Sequence, residues 1–121
     1  MPYTPVPPRP ITPAELAVIK AALELAPSDR PIRELRHPLE TLQVFSICPC
    51  DCCDSVHFIP EEGPGSRVVA QAVGTRPFGG LVGVLVWGID DQITGLEVYD
   101  LSFDDKRICL PIPESVQSSA A

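Results

Sequence analysis

The residue types in this sequence that are best suited to chemistry lie in one short segment. Four thiols and one imidazole fall within ten consecutive positions. They are Cys48, Cys50, Cys52, Cys53 and His57. Thiolates and neutral imidazole are the usual ligands of Zn²⁺, and a structural zinc site takes four of them in a tetrahedron. The residue types therefore permit a metal site, to which Cys109, the fifth cysteine, could add a remote ligand.

The spacing of these cysteines differs from that of common zinc sites. Structural sites usually build on paired Cys-x2-Cys knuckles, whereas this chain has Cys-x-Cys-x-Cys and no second knuckle downstream. If a strand continues through the segment, its side chains alternate between two faces. Cys48, Cys50 and Cys52 then share one face and Cys53 points away. The spacing weakens the zinc interpretation but still places three ligands on one side.

Packing offers a simpler interpretation of the same cysteines. Free cysteine is among the most buried residue types and behaves as a small hydrophobe. We therefore expect a packing and conformational role without a stoichiometric metal or other cofactor. Zn²⁺ binding and thiol redox chemistry are the alternatives. A thioredoxin-like activity is disfavoured, because no helix pattern begins at Cys53 to lower a thiol pKa.

Other residues with chemical potential favour structural roles. The histidines are His37 and His57, and no serine lies in a Gly-x-Ser-x-Gly elbow, so acyl transfer is not indicated. Gly79, Gly80 and Gly83 lie before and within a strand pattern, which favours a bend over a phosphate cradle. Two acidic pairs lack the alternating ligands of a calcium loop and are typical of turns. These are Asp90 with Asp91 and Asp104 with Asp105. We expect no catalytic residues.

Composition and charge restrict the class of protein. With 121 residues, 45% hydrophobic and 21% charged, the chain is typical of one globular domain. Its net charge of −7 opposes nucleic-acid binding, which depends on Lys and Arg. No apolar run approaches the roughly 20 residues that span a bilayer, and the N-terminus lacks a secretory pattern. We expect a soluble, cytoplasmic protein with no membrane or nucleic-acid partner and with reduced thiols.

The N-terminal part combines an extended arm with a helix. Residues 1–11 are rich in proline and predict an extended arm. Thr12 and Glu15 then form a capping box, and apolar residues follow at helical spacing until Pro27. The apolar residues are Leu16, Ile19, Ala22, Leu23 and Ala26. A short second helix is predicted at residues 32–36.

The remainder of the chain predicts an antiparallel sheet. Strand patterns cover residues 42–47, 56–59, 67–73, 81–89 and 93–101. The near-continuous apolar run at 81–89 predicts a central strand, and the tight connection after it predicts a hairpin with the last strand. A helix before a meander of four to five strands indicates an α+β fold. We expect this single domain to cover residues 12–116, with a flexible tail at 117–121.

The combination of these features resembles a group of small bacterial domains of unknown function. The shared features are an N-terminal helix, a turn like Arg33-Glu34-Leu35-Arg36, a Cys-x-Cys-x-Cys segment followed by Ser55-Val56, a Gly-Leu-Glu-Val-Tyr strand and a closing Leu-Pro-x-Pro segment. In that pattern a glycine often accompanies the cysteines, where this chain has Asp51 and adds Cys53. The resemblance implies the architecture over roughly residues 14–116 and carries no activity.

The expected function is that of a non-enzymatic interaction or accessory domain with a protein partner. The chain offers a sheet surface but no set of nucleophile, base and oxyanion donors. Trp87 in the central strand packs in the sheet or, if exposed, marks a contact surface. The alternative is a zinc-binding or thiol-based module centred on the cysteines at 48–53, completed by His57 or Cys109.

Overall fold

One helix packs against one antiparallel sheet. The computed structural model describes residues 3–26, 35, 38–50, 52–60 and 66–118. Within these residues the helix α1 is Pro13–Glu24, and 3-10 turns lie at Leu39–Thr41 and Pro113–Ser115. The strands are β1 (Thr4–Pro10), β2 (Gln43–Ile47), β3 (Val56–His57), β4 (Arg67–Thr75), β5 (Leu81–Ile89), β6 (Gln92–Asp100) and β7 (Gln117–Ser118). The predicted α+β architecture with an antiparallel sheet is confirmed.

The helix begins as its capping residues predict. The Thr12 hydroxyl accepts a hydrogen bond from the Glu15 backbone N–H at 3.1 Å, and the Glu15 carboxylate accepts one from the Thr12 N–H at 2.9 Å. Among the predicted apolar positions, Ile19 and Ala22 are fully buried, together with Val18. The predicted second helix at 32–36 lies outside the described residues, apart from residue 35.

The predicted hairpin between β5 and β6 is confirmed. Its two strands pair antiparallel from Val82 with Asp100 to Ile89 with Gln92. The connecting turn contains Asp90 at φ 51°, in the left-handed region that Asp and Asn tolerate better than most residues. This acidic pair therefore has a turn role, as its sequence indicated.

The order of the strands differs from a simple meander. The sheet runs β1-β2-β3-β6-β5-β4-β7, so β3 pairs with β6 rather than with β4. Val56 lies opposite Leu96, and His57 lies opposite Gly95. The strand patterns correctly predicted β2 to β6, but periodicity carries no information about which strands become neighbours.

The sheet also has more strands than the four to five predicted, since the described residues form seven. The additional strands are β1, in the proline-rich arm, and β7, in the two residues Gln117–Ser118. Proline removes a backbone donor and conceals the strand signal, but an edge strand tolerates it because one side of the strand needs no partner. β1 accordingly lies at the sheet edge and pairs only with β2, with an irregularity between Pro5 and Arg9.

The core lies between α1 and the inner face of the sheet. On β5, Val82, Val84 and Val86 are each fully buried, whereas Leu85 and Trp87 are half-buried. Because side chains alternate between faces along a strand, Leu85 and Trp87 point away from the helix. The sheet therefore has one covered face and one face that α1 does not cover.

Candidate functional site

The cysteine segment forms the loop between β2 and β3. The two strands pair at Ile47 and Val56, and the Cys48 N–H then donates to the Ser55 carbonyl at 3.1 Å. β2 ends at Ile47 because a turn begins at Pro49, which has a fixed φ and no N–H to continue the ladder. The strand predicted at residues 42–47 therefore ends before the cysteines, and the alternation considered for a continuing strand does not apply to them.

A second segment of the chain holds this loop from its other side. The backbone N–H of Ile108 donates to the Cys52 carbonyl at 2.8 Å, and the Asp54 N–H donates to the Ile108 carbonyl at 3.1 Å. The Asp54 carboxylate accepts hydrogen bonds from the Leu110 N–H at 2.9 Å and from Arg107 at 2.6 Å. These contacts fix the backbone on either side of Cys53.

Arg76 anchors the supporting segment to the sheet. Its buried guanidinium donates to both carboxylate oxygens of Asp104, at 2.6 and 3.1 Å, and to the Arg107 carbonyl at 3.3 Å. The hydrogen bond to Asp104, together with its negative charge, raises the pKa of Arg76, although desolvation opposes this effect. Asp104 therefore has a structural role, as the turn interpretation indicated.

Ser55 joins the cysteine loop to β6. Its hydroxyl accepts a hydrogen bond from the Val98 N–H at 2.8 Å and donates to the Val98 carbonyl at 3.3 Å. The Cys53 thiol lies 3.4 Å from the same oxygen. Neither Ser55 nor Asp54 was predicted as a site residue, because their partners lie 43 and 56 positions away and leave no local sequence signal.

Three of the sulfurs converge at this loop. The Cys48 and Cys50 Sγ atoms are 3.1 Å apart, the Cys50 and Cys53 Sγ atoms are 3.3 Å apart, and all three lie within 4.8 Å of one another. This group therefore differs in one residue from the set Cys48, Cys50 and Cys52, which would share a face on a continuing strand. The turn replaces the alternation of a strand, so Cys53 joins the group in place of Cys52. We call Cys48, Cys50 and Cys53 the thiol triad.

The remaining predicted ligands lie outside the thiol triad. Cys52 is exposed, and its backbone N–H donates to the Cys50 sulfur at 3.4 Å. Cys109 is half-buried in the supporting segment. The His57 ring stacks on Tyr3, with ring centroids 3.7 Å apart and planes at 2°. Within the described residues, the structure brings together three of the six predicted ligands.

The exposure of the cysteines argues against a packing role. Cys50 and Cys52 are exposed, and the other three are half-buried. None of them belongs to the buried core cluster in the described part of the chain. A small hydrophobe in the core would be buried and would belong to that cluster, so core packing does not describe Cys50 and Cys52.

The environment separates the acidities of the clustered thiols. Desolvation raises the pKa of Cys50, but hydrogen bonds from the Cys52 thiol and N–H and from the thiols of Cys48 and Cys53 outweigh it and lower the pKa to about 6. Desolvation raises the pKa of Cys48 to about 12, with further contributions from the shared hydrogen bonds. The bond to Cys50 raises the pKa of Cys52. Cys50 is therefore a thiolate at neutral pH.

A groove of about 300 Å³ borders the thiol triad. Cys48 and Cys53 form part of its wall, and Arg9, Arg107 and Asp54 form another part. The Asp54 carboxylate is held by Arg107 and the Leu110 N–H, which directs its oxygens toward the supporting segment. The groove gives small molecules and ions access to the sulfurs.

No helix in the described residues has the length and apolarity needed to cross a membrane. No protein-family model matches the chain, and no curated protein or solved structure matches it either. Function is therefore inferred from the geometry of the thiol triad.

Proposed function

We propose that this protein binds one thiophilic metal ion, Zn²⁺ in the first instance, through the thiolates of Cys48, Cys50 and Cys53. The observation that carries the proposal is the convergence of these three sulfurs within 4.8 Å on a loop that other residues hold in place. In a tetrahedral site, Zn–S bonds of about 2.3 Å separate the sulfurs by about 3.8 Å. The thiol triad needs only a small expansion to reach that spacing.

The donor set supports reversible binding rather than a closed structural site. Structural zinc sites have four protein ligands, whereas three ligands leave one coordination position open. The groove beside Cys48 and Cys53 supplies access to such a position. Soft thiolate ligands select Zn²⁺ and Cu⁺ over Mg²⁺ and Ca²⁺, which prefer oxygen ligands. The Cys50 thiolate supports metal entry, because a thiol must lose its proton to become a ligand.

Metal titration with matched cysteine variants tests the proposal. Reduced, chelator-treated protein is titrated with Zn²⁺ in competition with a chromophoric chelator. We expect one ion per chain. Replacing any member of the thiol triad by Ser should weaken binding by more than the roughly 10–100-fold that loss of an outer-shell partner costs. Cys109→Ser, outside the loop, and Cys52→Ser, whose hydroxyl can still donate a hydrogen bond to Cys50, are the controls, and both should retain most of the affinity of the parent. An equal loss in these controls, or no saturable binding, contradicts the proposal.

Thiol redox chemistry is a second candidate for the same loop. It is favoured by an exposed Cys50 thiolate 3.3 Å from the Cys53 sulfur. The Cys50 thiolate would attack one oxygen of hydrogen peroxide and become a sulfenic acid. The O–O bond breaks, and the other oxygen leaves as hydroxide, which takes up a proton to become water. The Cys53 thiol would then displace a second water to form a disulfide. Mass spectrometry of the metal-free protein after peroxide treatment should show the loss of two hydrogens. Because the Cys48 sulfur also lies 3.1 Å from that of Cys50, the double variant Cys48→Ser with Cys53→Ser is needed to stop the reaction at the sulfenic acid.

Interaction with a protein partner is a candidate function of the uncovered face of the sheet. The face of the sheet that α1 leaves uncovered carries Leu85, Trp87 and Tyr99, all of them half-buried. Large side chains that remain partly exposed on such a face are typical of contact surfaces, where aromatic residues are enriched.

A further inference from the structure

A small cavity lies on the uncovered face of the sheet, and its described lining does not include Cys48, Cys50 or Cys53. Its walls include Tyr3, His57 and Trp87, and its volume is about 110 Å³. The Tyr3 and His57 rings stack face to face, so they form a single rigid aromatic wall. Gly95 on β6 lies between His57 and Trp87, because it pairs with His57 on β3 and with Trp87 on β5.

The glycine on β6 creates the space between the aromatic walls. A Cβ atom at Gly95 would lie 3.1 Å from the His57 Cδ2 atom and 3.7 Å from the Trp87 Cβ atom. Any larger side chain would therefore enter the gap between the two rings. The absence of a side chain at this position leaves the space between His57 and Trp87 open.

The polar lining of the cavity carries negative charge. The half-buried Glu97 contributes a carboxylate, and no Lys or Arg is among the described residues that line the cavity. Ser66 and Thr94 share a hydrogen bond of 3.1 Å between their hydroxyls. Desolvation raises the pKa of Tyr3 to about 12; a hydrogen bond with Ser55 opposes this effect, and the negative charges of Glu97, Cys48 and Cys53 add to it.

We propose that this cavity binds the guanidinium group of an arginine side chain from a protein partner. Aromatic faces attract cations through their quadrupole, and a carboxylate beside them pairs with the guanidinium. The cavity is smaller than the roughly 300–1,000 Å³ of sites that hold whole small molecules, so it suits one end group of a larger partner. The net charge of −7 of the whole chain also favours a basic partner. Guanidinium binding rests on the partner role proposed for the uncovered face and specifies the chemistry of that partner, and it requires no metal at the thiol triad.

Trp87 provides a direct readout, because it is the only tryptophan in the chain. The protein is titrated with N-acetyl-arginine amide into the millimolar range at constant ionic strength, and Trp87 fluorescence is recorded. N-acetyl-citrulline amide, which has nearly the same shape without the charge, is the matched control ligand. We expect a saturable change with the arginine derivative, a several-fold weaker response with the lysine derivative, and no saturation with the citrulline derivative.

Two variants connect the response to the cavity. Glu97→Gln removes the charge with little change of shape and should weaken binding several-fold, whereas Glu114→Gln, at the exposed Pro113–Ser115 turn, should leave it unchanged. Tyr3→Leu keeps an apolar side chain but removes one aromatic face, and it should also weaken binding. This second variant still tests the cavity if Glu97→Gln does not fold. Equal responses to arginine and citrulline, a tighter response to lysine, or full binding by both variants would overturn the proposal.

Discussion

At the scale of single residues, hydrogen bonds between the thiols of the cysteine loop determine which of them is ionised at a given pH. Cys50 receives hydrogen bonds from its neighbours and is the acidic thiol, whereas Cys48 holds its proton to high pH. A depressed pKa means that the native fold favours the thiolate. That contribution to stability is present at alkaline pH and is lost as the pH falls through about 6.

This distribution of protons predicts the pH dependence of thiolate absorbance. In reduced, metal-free protein, the ultraviolet absorbance of a single thiolate should appear as the pH rises through about 6. Cys50→Ser should abolish this step, because it removes the group that titrates. Cys109→Ser should retain it, because desolvation and the negative charge of Asp54 raise the pKa of Cys109. A step that survives in Cys50→Ser would assign the acidic thiol to another cysteine.

Ser55 should contribute to the stability of the native state as well as to the metal site. It is buried, with 2% of its surface exposed, and it bonds to the backbone N–H and carbonyl of Val98. Ser55→Ala leaves that buried N–H without its hydroxyl partner and should lower the free energy of unfolding by about 1–3 kcal/mol. Urea unfolding measures the change. Ser66→Ala, which removes a half-buried hydroxyl, should have a smaller effect, and equal effects would contradict the role of Ser55.

The sequence predicted where the site lies but not which side chains compose it. The concentration of thiols at 48–53 identified the loop from composition alone. The choice of Cys53 over Cys52 depends on the turn at Pro49 and on the backbone contacts with Ile108, which lies 55 positions after Cys53. Contacts across such a distance arise from the assembled fold and have no local pattern.

At the scale of elements, the helix shows which features local sequence does determine. Capping uses residues three positions apart, so the motif and its hydrogen bonds coincide. Thr12→Ala should lower the free energy of unfolding by about 0.5–2 kcal/mol, because the Glu15 N–H loses its acceptor. Thr12→Ser keeps the hydroxyl and should retain most of the stability. Unchanged unfolding of Thr12→Ala in urea would show that the cap contributes nothing.

The contact between β1 and α1 could not be predicted from either element alone. Arg9, in the proline-rich arm, donates to both carboxylate oxygens of Glu15, at 3.1 and 3.0 Å. Glu15 is buried, with 4% of its surface exposed, so the same carboxylate closes the capping box and binds the arm. The hydrogen bond to Glu15 raises the pKa of Arg9, which is consistent with this pairing. One residue therefore connects the edge strand to the helix.

Removing this connection should have a larger effect than removing an exposed ion pair. Arg9→Ala deprives the buried Glu15 of two charged donors and should lower the free energy of unfolding by about 1–3 kcal/mol. Lys20→Ala is the matched control, because Lys20 and Glu40 form a pair whose side chains are 52% and 55% exposed. The control should change the stability by less than about 1 kcal/mol. Equal effects in thermal unfolding would show that β1 is not tied to the helix through Glu15.

At the scale of the whole molecule, the candidate site and the core are separate. The buried cluster forms between α1 and the sheet, and the cysteine loop is held by Ser55, Asp54 and the segment that Arg76 anchors. A zinc finger lacks such a core, so its metal supplies most of its folding free energy. In this protein the buried core contributes folding free energy without a metal, and the proposed metal binding would add to it.

The separation of site and core determines how the protein should respond to metal removal. Chelator-treated, reduced protein should keep its circular dichroism spectrum and its cooperative unfolding, because the hydrogen bonds that hold the loop involve no metal. Zn²⁺ at about 100 times its Kd should then raise the free energy of unfolding by about 2.7 kcal/mol through preferential binding to the native state. Cys50→Ser should unfold at the same temperature with and without Zn²⁺, and Cys52→Ser should respond like the parent. Loss of the fold in chelator would show that metal, rather than the core, stabilises the sheet.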